Sequence, residues 1–108
     1  MSAPFVTELR TPPYVIILGD AERATMHIKV QAAELWDTVR IDASPSESIL
    51  AVKLAALSAF YPDGVESDDF VAKLHGFEIL HEEESMQTVG VRDGSTLLLI
   101  RRRRRPVK

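Results

Sequence analysis

The chain has 108 residues, of which 45% are hydrophobic and 27% are charged. This length and composition predict one globular domain, and the absence of cysteine excludes disulfides and thiolate chemistry. The N-terminal residues show no basic segment followed by an apolar core, and no apolar run reaches the roughly 20 residues of a membrane span. The sequence therefore predicts a cytoplasmic protein.

The charges are unevenly distributed along the chain. The net charge is −3, but six of the 13 basic residues lie within the last eight positions: Arg101, Arg102, Arg103, Arg104, Arg105 and Lys108. The preceding residues contain seven basic and 16 acidic side chains. We therefore expect a negatively charged domain followed by a basic tail at residues 102–108.

Residues 1–25 are predicted to form an N-terminal extension. Three prolines among the first 13 residues favour an extended, poorly ordered arm. Residues 14–18, YVIIL, are apolar and rich in β-branched side chains, and Gly19 and Asp20 follow them as a turn signal. A short strand at 14–18 is therefore expected, and the sequence leaves open whether it joins a larger sheet.

The next two segments alternate between apolar and polar residues, as half-buried strands do. Met26, Ile28 and Val30 share one face of the first segment, and Val39 and Ile41 share one face of the second. A turn-like segment, AAELWD, separates them. The sequence therefore predicts a β-hairpin over residues 26–43.

Residues 44–60, SPSESILAVKLAALSAF, carry the strongest helical pattern in the chain. Ser44 and Glu47 have the spacing of a capping box, and Pro45 is typical of a first helical position. Two apolar faces follow: Ile49, Val52, Ala56 and Phe60 form one, and Leu50, Leu54 and Leu57 form the other. Because a helix with so little polar surface is normally covered on more than one side, the three leucines are predicted to contact either residues 14–18 or a partner protein.

The second half of the chain is predicted to contain shorter elements. An acidic loop at 61–69 ends the helix, a strand covers residues 70–74, and His75 and Gly76 turn into a short strand at 77–80. Another turn, Asp93-Gly94, precedes a strand at 96–100 whose continuous apolarity predicts burial on both faces. This order predicts an α+β domain in which one sheet of four to five strands packs on one helix.

Four segments, MHIKV, DTVRIDASPSESILAVK, KLHGFEIL and SMQTVGVRDGSTLLLI, together resemble the ubiquitin-like, β-grasp family. The last segment is the most specific of the four. Lys53 lies where the helix of that family carries a buried lysine. The resemblance implies a mixed sheet packed on one helix, with residues 26–101 as the ubiquitin-like domain.

The sequence departs from the conjugated members of that family. Those members end in Gly-Gly, because only glycine lets the chain tip enter an activating enzyme's narrow site, whereas this sequence has no glycine after Gly94. The resemblance therefore implies a non-conjugating member, closest in character to the bacterial YukD/EsaB type, that acts non-covalently as an adaptor or assembly subunit of a larger bacterial complex. The alternatives are a ubiquitin-like modifier or its non-conjugatable relative, and a small regulatory subunit of a multicomponent oxygenase.

The same resemblance places Lys73, Leu98 and Ile100 where ubiquitin carries its recognition patch, so these residues are candidate contacts for a protein partner. Trp36, in the hairpin turn, is another candidate, since tryptophan is enriched at binding hot spots. Packing of Trp36 across the end of the sheet is an equal alternative. Self-association of the chain is a further alternative.

The arginine run, Arg101–Arg105, has two functional interpretations. It offers a site for the phosphates of a nucleic acid or for an anionic membrane surface, or it contacts acidic loops or partner proteins. A solvated tail, or a strand edge kept soluble by its charge, is favoured over both. The absence of aromatic residues between the arginines weakens the nucleic-acid interpretation in particular.

No recognisable motif for catalysis or cofactor binding is present in the sequence. It lacks a cysteine nucleophile, a Gly-x-Ser-x-Gly motif and a phosphate-binding glycine loop. The acidic residues at 63–69 lack the spacing of a calcium loop, and His27, His75 and His81 fall on different predicted elements. We therefore expect a binding protein without a catalytic site, a metal site or a cofactor.

Overall fold

The computed structural model describes residues 15–102, which form six strands and two α-helices. In chain order these are β1 (Val15–Leu18), β2 (Met26–Ala32), β3 (Asp37–Ala43), α1 (Ile49–Phe60), β4 (Phe70–Leu74), β5 (Phe77–Glu78), α2 (Met86–Val89) and β6 (Thr96–Arg101). Two single-turn 3₁₀ helices lie at Ala21–Arg23 and Ser67–Asp69. Within this part of the chain neither α-helix is long enough to cross a bilayer, since the longer one, α1, has 12 residues.

The six strands form one mixed sheet in the order β1-β3-β2-β6-β4-β5. β2 and β3 form the predicted antiparallel hairpin, and β6 lies between β2, to which it is parallel, and β4, to which it is antiparallel. The predicted α+β architecture is confirmed, but the sheet has six strands instead of four to five.

The additional strand is β1. It joins the edge of the sheet by parallel pairing with β3, from Val15 opposite Arg40 to Leu18 opposite Ala43. The strand expected at 14–18 is thus present and belongs to the main sheet. The predicted arm at residues 1–13 and most of the predicted tail, residues 103–108, lie outside the described residues.

One face of the sheet, here called the inner face, packs against α1. Alternation along the strands places on this face several large side chains that are at most 2% exposed, among them Ile28, Val30, Ile41, Leu97 and Leu99. The helix contributes Ile49, Val52, Ala56 and Leu57 to the same core. The inward positions predicted for the hairpin are therefore confirmed, and the alternate residues of each strand point to the opposite, outer face.

The helix begins later than its sequence pattern predicts. Ser48 is the N-cap of α1, and its Oγ accepts a hydrogen bond from Ala51 N at 3.0 Å. Ser44 instead begins a separate turn, in which Glu47 N donates to Ser44 O at 2.9 Å. The predicted capping box, with Pro45 as the first helical residue, is therefore wrong, because this turn precedes the helix.

Lys53 is buried in the core, as the family resemblance implies. Its side chain is 3% exposed, and its Nζ donates to Phe70 O at 2.7 Å and to the two carboxylate oxygens of Glu82 at 2.9 and 3.0 Å. A buried charge is costly unless it is paired and hydrogen-bonded. This ion pair therefore ties α1 to the start of β4 and to the loop before α2.

Two glycine-containing turns set the ends of strands. At the predicted Asp93-Gly94 turn, Asp93 Oδ1 accepts from His27 N and Gly94 N donates to His27 O, both at 2.7 Å. These bonds hold the chain entering β6 beside β2. His75 and Gly76, with φ of 53° and 85°, form the two-residue turn between β4 and β5, as expected for hairpin turns that need positive φ at both positions.

β5 is shorter than the strand predicted at 77–80. It ends at Glu78, and Ile79 turns into the core at 8% exposure while its N–H donates to Ala72 O at 2.8 Å. Phe77 and Leu80 remain 77% and 74% exposed. The β5 edge of the sheet therefore presents two large apolar side chains to solvent.

Candidate protein-binding surface

The outer face of the sheet has an apolar half, formed by β4 and β6. Val71 lies opposite Ile100 and Lys73 lies opposite Leu98, so these four side chains share one face. Val71 is 9% exposed, and the other three are half-buried. The fold thus brings together Lys73, Leu98 and Ile100, the three residues predicted from the ubiquitin patch. We call these four residues the outer patch.

The other half of the outer face, over β2 and β3, is polar. Its side chains are His27, Lys29, Gln31, Thr38, Arg40 and Asp42. Asp42 Oδ1 lies 2.8 Å from His27 Nδ1 and 3.6 Å from Arg40 Nε, so these polar groups interact with one another. Apart from those on the edge strand β1, the apolar groups of the outer face are therefore concentrated on β4 and β6.

The sequence predicts burial of β6 on both faces, and this prediction is wrong for the outer face. Leu97 and Leu99 are 1% and 2% exposed on the inner face, whereas Leu98 and Ile100 are half-buried on the outer face. α1 packs on the inner face alone. The continuous apolarity of β6 therefore reflects a core on one side and an apolar surface on the other.

No protein-family model matches the chain, and no curated protein matches its sequence. Solved structures do match. A ubiquitin of Caldiarchaeum subterraneum has a TM-score of 0.62 at 21% identity, covering 75% of this chain and 98% of that one. A ubiquitin-like domain of an Arabidopsis thaliana protein has a TM-score of 0.62 at 11% identity, covering 83% of this chain and 90% of that one.

A de novo designed protein based on ubiquitin also matches, with a TM-score of 0.61 at 19% identity, covering 79% of this chain and 98% of that one. The chain has the ubiquitin-like β-grasp fold. The predicted fold class is thereby confirmed. At these identities the likeness extends to the fold and no further, so it indicates a ubiquitin-like module without naming a partner.

The helix of the β-grasp domain does not present its predicted second apolar face intact. Leu57 is 4% exposed and belongs to the core, because it lies one helical turn after the buried Lys53, on the side of α1 that faces the sheet. Its predicted direct contact with a partner is therefore wrong. Leu54 is 47% exposed and Leu50 is half-buried, so both remain accessible.

β1 covers part of this region of the β-grasp core. Its residues Ile16 and Leu18 pack against the core cluster, and the strand contacts α1. Residues 15–18 therefore pack on the core and contact α1, whereas their predicted cover of Leu50 and Leu54 stays a prediction. A partner protein on Leu50 and Leu54 stays a prediction.

Trp36 lies in the turn of the β2–β3 hairpin with 89% of its surface exposed. It therefore does not pack across the end of the sheet, which was one of its two predicted positions. Its φ of 54° lies in the left-handed region, which residues other than glycine adopt rarely. Its exposure leaves the indole accessible, and its role as a partner contact stays a prediction.

Arg101, the first residue of the arginine run, is held by the β-grasp domain itself. Its Nε and Nη2 donate to the Glu34 carboxylate at 2.9 to 3.1 Å, and its guanidinium lies 4.6 Å from the centre of the Phe70 ring. Tyr61 Oη donates to the same carboxylate. Hydrogen bonds from Arg101, and secondly from Tyr61, lower the pKa of Glu34 from 4.5 to about 2. The hydrogen bond with Glu34 raises the pKa of Arg101 in turn.

Arg102 is also anchored to the domain. Its backbone N–H donates to Asp69 O at 2.5 Å, and its Nε donates to Asp68 O at 3.1 Å. The basic tail therefore leaves the domain beside the acidic loop at 61–69. The remaining arginines of the run, Arg103, Arg104 and Arg105, lie outside the described residues, and their function stays a prediction.

The histidines and acidic residues at positions 15–102 do not assemble into a group that could hold a metal ion. His27 lies beside Asp42 on the outer face, His81 Nδ1 lies 3.8 Å from Glu83 Oε2, and His75 lies in the β4–β5 turn. The three histidines therefore belong to different elements, as predicted.

Sequence reasoning missed a groove beside β5. Its volume is about 580 Å³, and its apolar lining residues are Leu74, Phe77, Ile79, Leu80 and Val89. The available signal was the pair of large apolar residues Phe77 and Leu80 directly after a turn. This pattern predicts a four-residue strand at 77–80, and a strand prediction does not indicate that both Phe77 and Leu80 face solvent.

Proposed function

We propose that this β-grasp domain is a non-covalent protein–protein interaction module that acts in the cytoplasm as an adaptor or assembly subunit of a larger bacterial complex. The observation that carries this proposal is the outer patch, in which Leu98, Ile100 and the largely buried Val71 lie beside Lys73 on a face that α1 leaves uncovered. Contiguous apolar patches on a protein surface commonly mark interaction sites. The bacterial setting rests on the resemblance to non-conjugating members of the YukD/EsaB type.

The outer patch has the chemistry of a small binding surface. Leu98 and Ile100 supply aliphatic surface whose removal from water favours association. Lys73 supplies a positive charge that would select an acidic residue on the partner and thereby fix its orientation. Because the strands hold these side chains at fixed spacing, little conformational entropy would be lost when a partner binds.

The experiment compares partner recovery for the parent protein and two variants in a non-denaturing pull-down from the native host. Leu98→Glu places a carboxylate in the outer patch, and the matched control Lys29→Glu places one on the polar half of the same face. We expect Leu98→Glu to weaken recovery about tenfold, or 1.4 kcal/mol of binding free energy, and Lys29→Glu to retain it. Undiminished recovery with a folded Leu98→Glu protein would overturn the proposed binding face.

An immunoblot of denatured lysate separates non-covalent from covalent function. We expect a single band at the mass of the monomer, with partners present only in the non-denaturing pull-down. A ladder of larger bands that survives denaturation would show covalent attachment and would identify a ubiquitin-like modifier instead of an adaptor.

A further inference from the structure

We propose that the groove beside β5 binds a short extended segment of a partner protein in which a large aliphatic or aromatic side chain is flanked by lysine or arginine. The groove is a second surface, distinct from the outer patch, because none of the four outer-patch residues lines it. Peptide binding in the groove is therefore separate from the proposed function of the outer patch, and neither proposal depends on the other.

The apolar lining of the groove suits a single large side chain. Leu74 and Ile79 are each 8% exposed, Val89 is half-buried, and Phe77 and Leu80 stand 77% and 74% exposed beside them. An apolar side chain that enters the groove would remove both Phe77 and Leu80 from water, which favours binding. Among the described residues, only Trp36 is a more exposed large hydrophobic residue.

Backbone hydrogen bonds hold the walls of the groove in place. The two-residue turn after β4 positions Phe77, and the bond from Ile79 N to Ala72 O at 2.8 Å fixes the chain that follows β5. On the opposite wall, Ser85 Oγ caps α2 by accepting from Thr88 N at 3.1 Å. A preformed groove loses little conformational freedom when it binds a ligand.

Acidic side chains accompany the apolar lining. Glu78 and Glu84 line the groove together with His75 and His81, and the described lining residues include no lysine or arginine. Glu78 lies opposite Lys73 in the β4–β5 pairing, so among the lining carboxylates we assign the attraction of basic residues to Glu84. Glu83, whose side chain is 76% exposed, lies beside His81 at the same end of the domain. These carboxylates would attract basic residues on either side of an apolar anchor and would repel a phosphate-bearing or acidic ligand.

The positions of the chain's own arginines favour a different protein over the basic tail as the occupant. In the β4–β6 pairing, Leu74 at the groove lies opposite Leu97, whereas Arg101 lies opposite Phe70 at the other end of β4. Arg102 then holds the start of the tail beside Asp68 and Asp69. The tail therefore begins at the far end of the strand pair and next to another acidic segment.

The experiment uses a phage-displayed library of random octapeptides, selected on the immobilised full chain. Peptides that are recovered are synthesised, and their affinities are measured by fluorescence polarisation. We expect the selected peptides to carry a large apolar residue flanked by lysine or arginine. We expect Phe77→Ala and Glu84→Lys each to weaken their binding about tenfold, and Leu80→Ser serves as an independent groove variant.

Matched controls place the same changes elsewhere on the domain. Trp36→Ala removes the other highly exposed aromatic side chain, and Glu22→Lys reverses an exposed charge in the first 3₁₀ helix. We expect both controls, and Leu98→Glu in the outer patch, to change peptide affinity by less than about twofold. Circular dichroism melting confirms that each variant is folded.

Several outcomes would overturn the proposal. They are the recovery of no specific peptide, selection of peptides without basic residues, and equal binding by Phe77→Ala, Leu80→Ser and the parent. Equal loss in Leu98→Glu would place the peptides on the outer patch instead. Sedimentation equilibrium tests whether the groove binds the basic tail of a second copy of the chain. The tail would be the occupant if the protein associates with increasing concentration and two variants abolish that association. These variants are Phe77→Ala and the combined Arg103→Gln, Arg104→Gln and Arg105→Gln.

Discussion

The buried ion pair between Lys53 and Glu82 predicts an asymmetric response to substitution. The Lys53 side chain is 3% exposed, whereas that of Glu82 is 21% exposed. When Lys53→Met removes the ammonium, the Glu82 carboxylate retains access to water, and the main cost is the donor lost to Phe70 O. Leaving a buried acceptor without its donor costs about 1–3 kcal/mol, so we expect a loss of about 2 kcal/mol in the free energy of unfolding.

Removing the carboxylate instead leaves a charge in the core. In Glu82→Ala the ammonium stays buried with Phe70 O as its remaining acceptor, and breaking a buried pair in this way costs about 3–5 kcal/mol. The double variant Lys53→Met/Glu82→Ala no longer contains this buried, unpaired ammonium. We therefore expect it to be more stable than Glu82→Ala alone, close to Lys53→Met, so that the single effects are far from additive.

Urea unfolding followed by far-UV circular dichroism measures these differences. Trp36 is 89% exposed and is therefore a poor fluorescence reporter of unfolding. Lys29→Met, at an exposed position on β2, is the matched control and should change stability by less than about 0.5 kcal/mol. A loss below about 1 kcal/mol in Glu82→Ala, or single losses that add in the double variant, would refute the asymmetry.

Three further predictions concern the helix cap, the core and the response to acid. Ser48→Ala should cost about 1 kcal/mol because it removes the N-cap of α1, whereas Ser44→Ala should cost clearly less; equal losses in urea unfolding would contradict the helix start described above. Leu97→Ala should cost about 2–5 kcal/mol in the same assay, since the side chain is 1% exposed; a loss near zero would mean that β6 has the opposite face in the core. The pKa of Glu34 is lowered to about 2 by Arg101, so its stabilising contribution is complete above about pH 4.5 and is lost as the pH falls toward 2. The stability difference between the parent and Glu34→Gln should therefore shrink over that range, and a constant difference would exclude Glu34 as the titrating group.

The elements that the sequence predicts well depend on local signals. The β2–β3 hairpin follows from strict alternation, because a strand with one buried face repeats every two residues. The Asp93-Gly94 turn follows from the backbone freedom of Gly94, which adopts a φ of 88°. The association of Lys73, Leu98 and Ile100 on one face was accessible only through the family resemblance, because these residues belong to different strands.

The errors arise where distant parts of the chain decide the outcome. Ser44 and Ser48 both have the chemistry of an N-cap, and the choice depends on pairing with the start of α2, where Met86 N donates to Glu47 O at 2.8 Å. The residues next to Ser44 and Ser48 in the sequence do not indicate that pairing. The helix pattern therefore predicted the element correctly and its first residue wrongly.

The outer patch and the groove show a second limit of sequence reasoning. An apolar residue is compatible with a core or with a binding surface, and periodicity alone does not separate the two. The difference for Leu98 and Phe77 is set by which layers cover the sheet and by where the sheet ends. The outer patch was therefore predictable only through the family resemblance, and the groove became visible only with the fold.

The central place of β6 has a consequence for synthesis of the protein. Among the six described strands β6 is the last to be made, yet it lies between β2 and β4 and joins the two halves of the sheet. Until residues 96–101 have left the ribosome, β2 and β4 each retain an unpaired edge, and such edges are templates for aggregation. A nascent chain can form its hairpin and its helix early, but it completes its sheet only after almost the whole domain has been translated. We therefore expect ribosome-bound chains that stop before Thr96 to be sensitive to proteases and to recruit chaperones.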